Sequence, residues 1–456
     1  MLTVGPLNYT APSASALTLT VVAGSYEVLN GASVVASRAV ADTNAINITG
    51  SIGNDSLTVE TPVLTSGLPV TFTGNSASDT LDVDDSSNTV SEVYSLEGST
   101  FSIGSTAISF SGVSTVDFEP TAGSLNGFSV LTLGSGISLN VSGNGTSGAN
   151  TIVAIGDGGD SLDGQILGNV DVNDVALFGF AEGDATGSPS YSLTNDSITR
   201  VGTETTVATY SNLEFGVIIQ APADGSATVK STAFGITSEV DAGTITVGNS
   251  GRLDNIQPGL TVNGFTSVTI DDHSTTAAVN YQIESDTVTR TFLGSPSPTI
   301  TYSTPQLIVD AGSGSNTIDL GLGEDFGSTN VSLNSGAGGD TINVNMIGSG
   351  DVSVQTGGTS STANSINVQA TTTGTTTLTG GAGNDTYLIG AVDHNLDNVY
   401  TVVVDGGTGT NSLTVNDSNG TSGTLNNTNP ITRLGMGTTV SIAYSNVGTP
   451  TLISGT

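Results

Sequence analysis

Apolar and polar residues alternate through this chain in short runs, and the runs return at fixed intervals. In AGSGSNTIDL (311–320), SGAGGDTINV (335–344), TANSINV (362–368), GGAGNDTYLI (380–389) and GGTGTNSLTV (406–415), a loop ends in an acid or amide and opens onto an alternating triplet. The acid-or-amide positions are Asn316, Asp340, Asn364, Asp385 and Asn411, spaced by 24, 24, 21 and 26 residues. A second triplet runs 11 residues ahead: Leu307 leads Ile318, Val331 leads Ile342 and Val402 leads Leu413. The same unit stands near the N-terminus, where Ile46 leads Leu57, Val70 leads Leu81, and Asp55 and Asp79 are again 24 apart. Period-2 alternation places Ile342 and Val344 on one face of a strand and Asn343 on the other. A period of 20–50 residues marks a solenoid, in which each repeat covers its neighbour's apolar face. The pattern predicts an all-β chain: a parallel β-solenoid (β-helix) with about one rung per 24 residues.

A different unit punctuates the rungs. YSLEGSTFSI (94–103) reads as a hairpin with a two-residue turn, setting Leu96 opposite Phe101 and Tyr94 opposite Ile103. It recurs as YSLTNDSITR (191–200) and YQIESDTVTR (281–290), with Tyr191 opposite Arg200 and Tyr281 opposite Arg290, and more loosely as LNNTNPITR (425–433). Each hairpin runs on to a third, aromatic strand: ISFSGV (108–113), ATYSNL (208–213), ITYST (300–304) and IAYSNV (442–447). Two readings of the Tyr–Arg pairs stay open: a binding patch, or a cross-strand cation–π contact worth ~0.5–1 kcal/mol that fixes hairpin register. The hairpins divide the chain into 1–120 (cap strands, two rungs, first hairpin), 121–218, 219–310, and 311–456 (the five-rung run with the fourth hairpin). Residues 1–45 open with strand-like LTLTVVAG and SYEVLNG, suited to capping a stack. Segment 165–190 reads as acidic loop. TSGANTIVA (146–154) and GDGGDSLDG (156–164) carry loop motifs ten residues apart, near the spacing of a nine-residue β-roll.

Charge narrows the function classes. Forty-one acids face six bases, a net −35, and Lys230 is the single lysine. Such a field repels nucleic acid and anionic membrane surfaces and attracts divalent cations. There is no cysteine, hence no disulfide framework, and no apolar run of the ~18 residues that span a bilayer. No secretory leader is evident at Met1, which leaves either a cytosolic protein or a mature or excised fragment, and the composition favours the fragment. His273 and His394 are isolated, which gives neither a zinc site nor a Ser-His-Asp triad support, and outward Asp82 and Asp319 could belong to a glycosidase carboxylate pair, but among 41 acids that coincidence carries little information.

The GGAGND loop at Gly380–Asp385 resembles the calcium-binding nonapeptide repeat G-G-x-G-x-D-x-U-x of RTX proteins. Together with the hairpin phrase ITR…TYS, it makes the chain look like the repeat segments of giant secreted bacterial surface proteins. The resemblance implies Ca²⁺ held by loop carbonyls and the loop aspartates Asp385 and Asp340; the 24-residue stacking offers Asp55 and Asp79 as a further pair of metal ligands, with Asn316, Asn364 and Asn411 as ladder positions. Stacked one rung apart, Asp55 and Asp79 would repel by ~1–3 kcal/mol unless a cation bridges them, whereas alternating Asn and Asp relieves this in the C-terminal ladder. The implied role is extracellular, at the cell surface, and not enzymatic: a fibre, surface-layer or adhesin-stalk subunit. It would self-assemble head to tail without membrane insertion, with an extracellular glycan as a candidate partner. The alternative is a carbohydrate-active β-helix enzyme, a polysaccharide lyase or hydrolase.

Overall fold

A computed structural model describes residues 3–76, 78–122, 125–143, 151–159, 161–183, 187–292, 298–359, 361–420, 424–434 and 439–455. The chain divides into two compact units, Met1–Ser226 with Ile236–Glu239, and Ala227–Gly235 with Val240–Thr456. Helix among the described residues is limited to one turn at Thr61–Leu64 and a 3₁₀ turn at Val40–Asp42. Everything else regular is strand.

Each unit is a parallel β-solenoid with two strands per rung, stacked in two columns. In the first unit one column begins Gly5–Thr10, Thr43–Thr49, Val70–Thr73, and the other Ala16–Val22, Ser56–Glu60, Asp79–Asp84. Ile46 lies beside Val70 and Leu57 beside Leu81, the predicted register. The alternation of the sequence becomes alternating burial: Leu57 and Val59 are fully buried while Ser56, Thr58 and Glu60 are partly solvated. In the second unit the five-rung run is continuous. Leu307, Val331, Val352, Thr376 and Val402 follow one another in one column. Ile318, Ile342, Ile366, Tyr387 and Leu413 do so in the other.

The hairpins do not interrupt the stack; they are built into it. Val93–Gly98, Thr100–Ile103 and Thr106–Ser111 form an antiparallel meander with Tyr94 opposite Ile103 and Leu96 opposite Phe101. Its third strand pairs in parallel with Val70–Thr73, and its first with Asn126–Leu133. The chain therefore overshoots, doubles back to the preceding rung, and later resumes beyond the overshoot. This inserts two extra strands into one column, while in the other Val113–Glu119 and Ser138–Ser142 remain direct neighbours. The meander Ser190–Leu193, Ser197–Val201, Thr205–Ser211 does the same in the other column, returning to Asn169–Asn173.

The second unit repeats the device. Asn280–Ile283, Thr287–Thr291 and Thr299–Ser303 double back in the column of Thr317–Leu320. Thr424–Asn426, Ile431–Leu434 and Val440–Ser445 do so in the column of Thr401–Asp405. One long strand, Leu260–Asp271, serves both columns there. Its residues 260–263 pair with Ile300–Ser303 and 268–271 with Leu307–Asp310, turning the corner at Gly264 and exposed Phe265. A side chain on Gly264 would meet the Ser267 carbonyl at 2.5 Å.

Segment 165–190, expected as loop, contains strands Asn169–Asn173 and Leu177–Ala181. Their apolar pairs Val170/Val172 and Phe178/Phe180 are too short to announce themselves beside so many acids. Of the two close-spaced loop motifs, 144–150 and Asp160 lie outside the described residues.

Candidate functional site

The acid-and-amide positions form ladders at the entrance of successive strands. In the second unit the backbone N–H of Asn316 donates to Asp340 Oδ1 (2.8 Å), that of Asp340 to Asn364 Oδ1 (2.9 Å), that of Asn364 to Asp385 Oδ1 (2.9 Å) and that of Asp385 to Asn411 Oδ1 (2.8 Å). The first unit follows the same rule. Ser15 N–H donates to Asp55 Oδ1 (2.7 Å), and Asp55 N–H to Asp79 Oδ1 (2.8 Å). The second oxygens are also taken. Ser51 donates both N–H and hydroxyl to Asp55, and Asn75 and Ser76 donate N–H to Asp79.

Above the ladder runs a column of glycines. A Cβ on Gly336 would fall 2.1 Å from the Gly312 carbonyl, on Gly357 2.2 Å from that of Gly336, and on Gly381 2.2 Å from that of Gly357. The loops stack backbone on backbone, and Gly357 N–H donates to Gly336 O (2.8 Å). That is why the repeats need glycine there. It also means that loop carbonyls and ladder carboxylates face N–H donors, a set that suits a hydrogen-bonded ladder better than a calcium shell. Among the described residues no three His, Cys, Asp or Glu side chains converge closely enough to hold a metal ion.

Electrostatics of the ladder follow from its donors. Burial raises Asp79, but the N–H groups of Asp55, Ser76 and Asn75 outweigh it and hold the carboxyl below its ordinary value. For Asp340 burial prevails over the bonds from Ser335 and Asn316, and the carboxyl lies above it.

The Tyr–Arg pairs have the predicted register, Tyr191 opposite Arg200 and Tyr281 opposite Arg290. They are not a surface cation–π contact, however. Both partners are buried, and a carboxylate joins them. Glu182 accepts from the Tyr191 hydroxyl, from Arg200 Nε (2.7 Å) and from Arg200 Nη2 (2.5 Å). Asp272 accepts from the Tyr281 hydroxyl (2.5 Å) and pairs with Arg290 Nε at 2.8 Å. A second acid holds the other side of each guanidinium: Asp163 at 2.9 Å from Arg200 and Asp254 at 2.9 Å from Arg290. The loose fourth hairpin keeps the arginine and both acids, with Arg433 between Asp417 (3.0 Å) and Asp397 (2.6 Å).

Each inner acid also accepts a backbone N–H from the leucine before the outer one: Leu162 (2.9 Å), Leu253 (3.1 Å) and Leu396 (3.1 Å). We call this arrangement a pin. Its sequence form is Leu-Asp, an acid 18–20 residues on, a tyrosine nine later in two copies, and an arginine after it. The Leu-Asp dipeptides at 162–163, 253–254 and 396–397 were the available signal, invisible until the arginine showed what they face.

The first hairpin has Tyr94 on Asp85 (2.7 Å) but Ile103 in place of the arginine, and Asp85 Oδ1 is left buried without a hydrogen-bond partner. There the tilted, edge-to-face rings of Tyr94, Phe101, Phe118 and Phe128 cluster.

The pins shift the groups they hold. Arg200 keeps Asp163 below the usual carboxylate range; burial raises Glu182, but Arg200, Tyr191 and the Leu162 N–H outweigh it. Burial and the adjoining Glu182 push the Tyr191 hydroxyl well above its ordinary value.

The remaining candidates lie apart from these groups. Lys230 is exposed beyond strand Ser226–Val229. His273 leans on Asp271 (2.5 Å) in solvent and is raised by it, and His394 Nδ1 meets Asn416 at 2.9 Å. Asp82 receives the Thr58 hydroxyl (3.0 Å) and Asp319 the Asn343 amide (2.7 Å). Arg38 ties the carbonyls of Thr3 (2.7 Å) and Asp42 (2.9 Å) together at the start of the first unit. In comparison with known proteins, no family model and no curated protein matches this chain.

Proposed function

We propose that this chain is an extracellular structural element of a cell surface, a stiff β-solenoid segment that joins copies of itself through strand edges. The observation that carries the reading is where the polar chemistry goes. Ladder amides and carboxylates, and four of the five arginines, hold one rung to another. A solenoid so cross-linked transmits force along its stack and has an open hydrogen-bonding edge wherever a column ends. In the first unit one such edge is Ser33–Ala39, paired on one side to Ser25–Asn30, with Val34 and Val35 exposed. In the second, Thr451–Ser454 pairs on one side with Ser412–Asp417, and Ile453 is exposed. A contact between such unlike edges is heterologous and propagates as an open filament. Calcium, in this reading, acts between molecules on solvated carboxylates, where it offsets the mutual repulsion of −35 surfaces.

Truncation would strip whole strands from the stack, so the test uses charged edges instead. The parent is expected to form filaments in electron micrographs with millimolar calcium and to disperse in EGTA. Val34→Lys with Val35→Lys, and separately Ile453→Lys, are expected to stay monomeric by light scattering with unchanged melting. A parent that remains monomeric, or filaments that survive both edge variants, would overturn the proposal.

A further inference from the structure

The three pins share one scaffold, and a cavity lies beside the one at Arg290. At Arg200 the backbone of Gly202 lies on the guanidinium: a Cβ there would fall 2.6 Å from Arg200 Nη1 and 2.4 Å from Asp163 Oδ1. Thr203 N–H then caps Asp163 at 3.2 Å, so the pin is sealed by its own chain. At Arg290 the residue in the place of Gly202 is Phe292, one-third exposed, with its ring centroid 5.9 Å from the guanidinium carbon. The residue before the Leu-Asp dipeptide is Ser161 in one copy and Asn395 in another, but Arg252 here. Arg252 and Phe292 both line this cavity of about 370 Å³, together with Asp254, Gln257, Thr275 and Arg290.

We propose that this cavity binds a sugar residue carrying a carboxylate. Two of the chain's five arginines line it, in a protein whose net charge is −35. Arg290 and Arg252 are balanced by Asp272 and Asp254, so the cavity is locally neutral and an incoming anion meets no unpaired acid. Arg252 is half exposed and touches Asp254 only at 3.4 Å, which leaves its guanidinium fork free for a bidentate carboxylate. The Phe292 ring offers an aromatic face to the apolar C–H side of a pyranose. Gln257 and the exposed Thr276 stand at the rim as partners for hydroxyls. A carboxylate without a ring would leave Phe292 unused, and a neutral sugar would leave Arg252 unused. The chemistry calls for both in one ligand. Because the surrounding field is strongly negative, the site favours a terminal or single acidic sugar over a long polyanion.

The experiment titrates the full chain with glucuronate, glucose and acetate by calorimetry. Glucuronate is expected to bind at least about tenfold more tightly than either of the others, since only it engages both the charged and the apolar group. Arg252→Gln and Phe292→Gly, the second being the residue of the sealed pin, are each expected to weaken glucuronate about tenfold while melting stays unchanged. Glucuronate binding no better than glucose or acetate would overturn the proposal, as would wild-type affinity in either variant.

Discussion

Arg200 sits among groups that only make sense as a set. Its guanidinium is almost wholly buried, with Glu182 on one edge and Asp163 on the other. A buried ion pair adds little net stability over a well-packed apolar substitute, but removing one partner strands the other in low dielectric. Arg200→Met is therefore expected to cost about 3–5 kcal/mol, read as a lowered denaturant midpoint, and Arg200→Met with Glu182→Met to recover most of it.

The carboxyls respond to pH in opposite senses. Glu182, Asp163 and Asp79 titrate below their ordinary values when folded, so the stability they contribute is present above the unfolded pKa and is lost on acidification. Asp82 runs the other way. Burial first, and then Glu119, Asp84 and Asp117, push it up to about 6. The folded chain thus binds this proton more tightly than the unfolded one, and stability falls as pH rises from about 4 to about 6. Asp82→Asn is expected to raise stability by about 1–2 kcal/mol at pH 7.5, after discounting for solvent, and to lose that advantage at pH 4. Calorimetry at the two pH values checks it.

At the scale of elements, the rung is the unit that must stay intact. Ile342 lies between Ile318 and Ile366 in one column and is fully buried. Ile342→Asp places a charge where no donor reaches, and the neighbouring rungs, which bury their faces only against one another, are expected to unfold with it. Hydrogen exchange should show loss of protection across several rungs rather than one strand. Rung register was legible in the sequence because the 11- and 24-residue spacings are local arithmetic on apolar positions. Hairpin register was legible because a two-residue turn leaves one pairing. The pins were not, because each arginine lies 16–37 residues from its acids and meets them only through the doubling back of the chain. The meander's place in the stack was equally hidden: nothing in YSLTNDSITR says that its third strand rejoins the rung before it.

For the molecule as a whole, the alternation of meanders between columns has a consequence for how such a chain can be lengthened or cut. Two inserted strands displace one column against the other by two interstrand spacings, about 9–10 Å. In the first unit the displacement opened at Thr106–Ser111 persists through Asn126–Leu133 and Thr151–Ile155, until Thr205–Ser211 doubles back in the opposite column. In the second it opens at Thr299–Ser303, runs the length of the five-rung ladder, and is answered at Val440–Ser445. Each meander acts as a dislocation, and its counterpart in the other column as the dislocation of opposite sign. The smallest segment containing a meander that can be duplicated or excised without leaving the two columns out of phase is therefore a matched pair of meanders with the rungs between them. A lone rung, one strand from each column, can come or go without changing that offset, and the uneven 21-, 24- and 26-residue spacings of the ladder leave it unchanged too, because they alter only the loops.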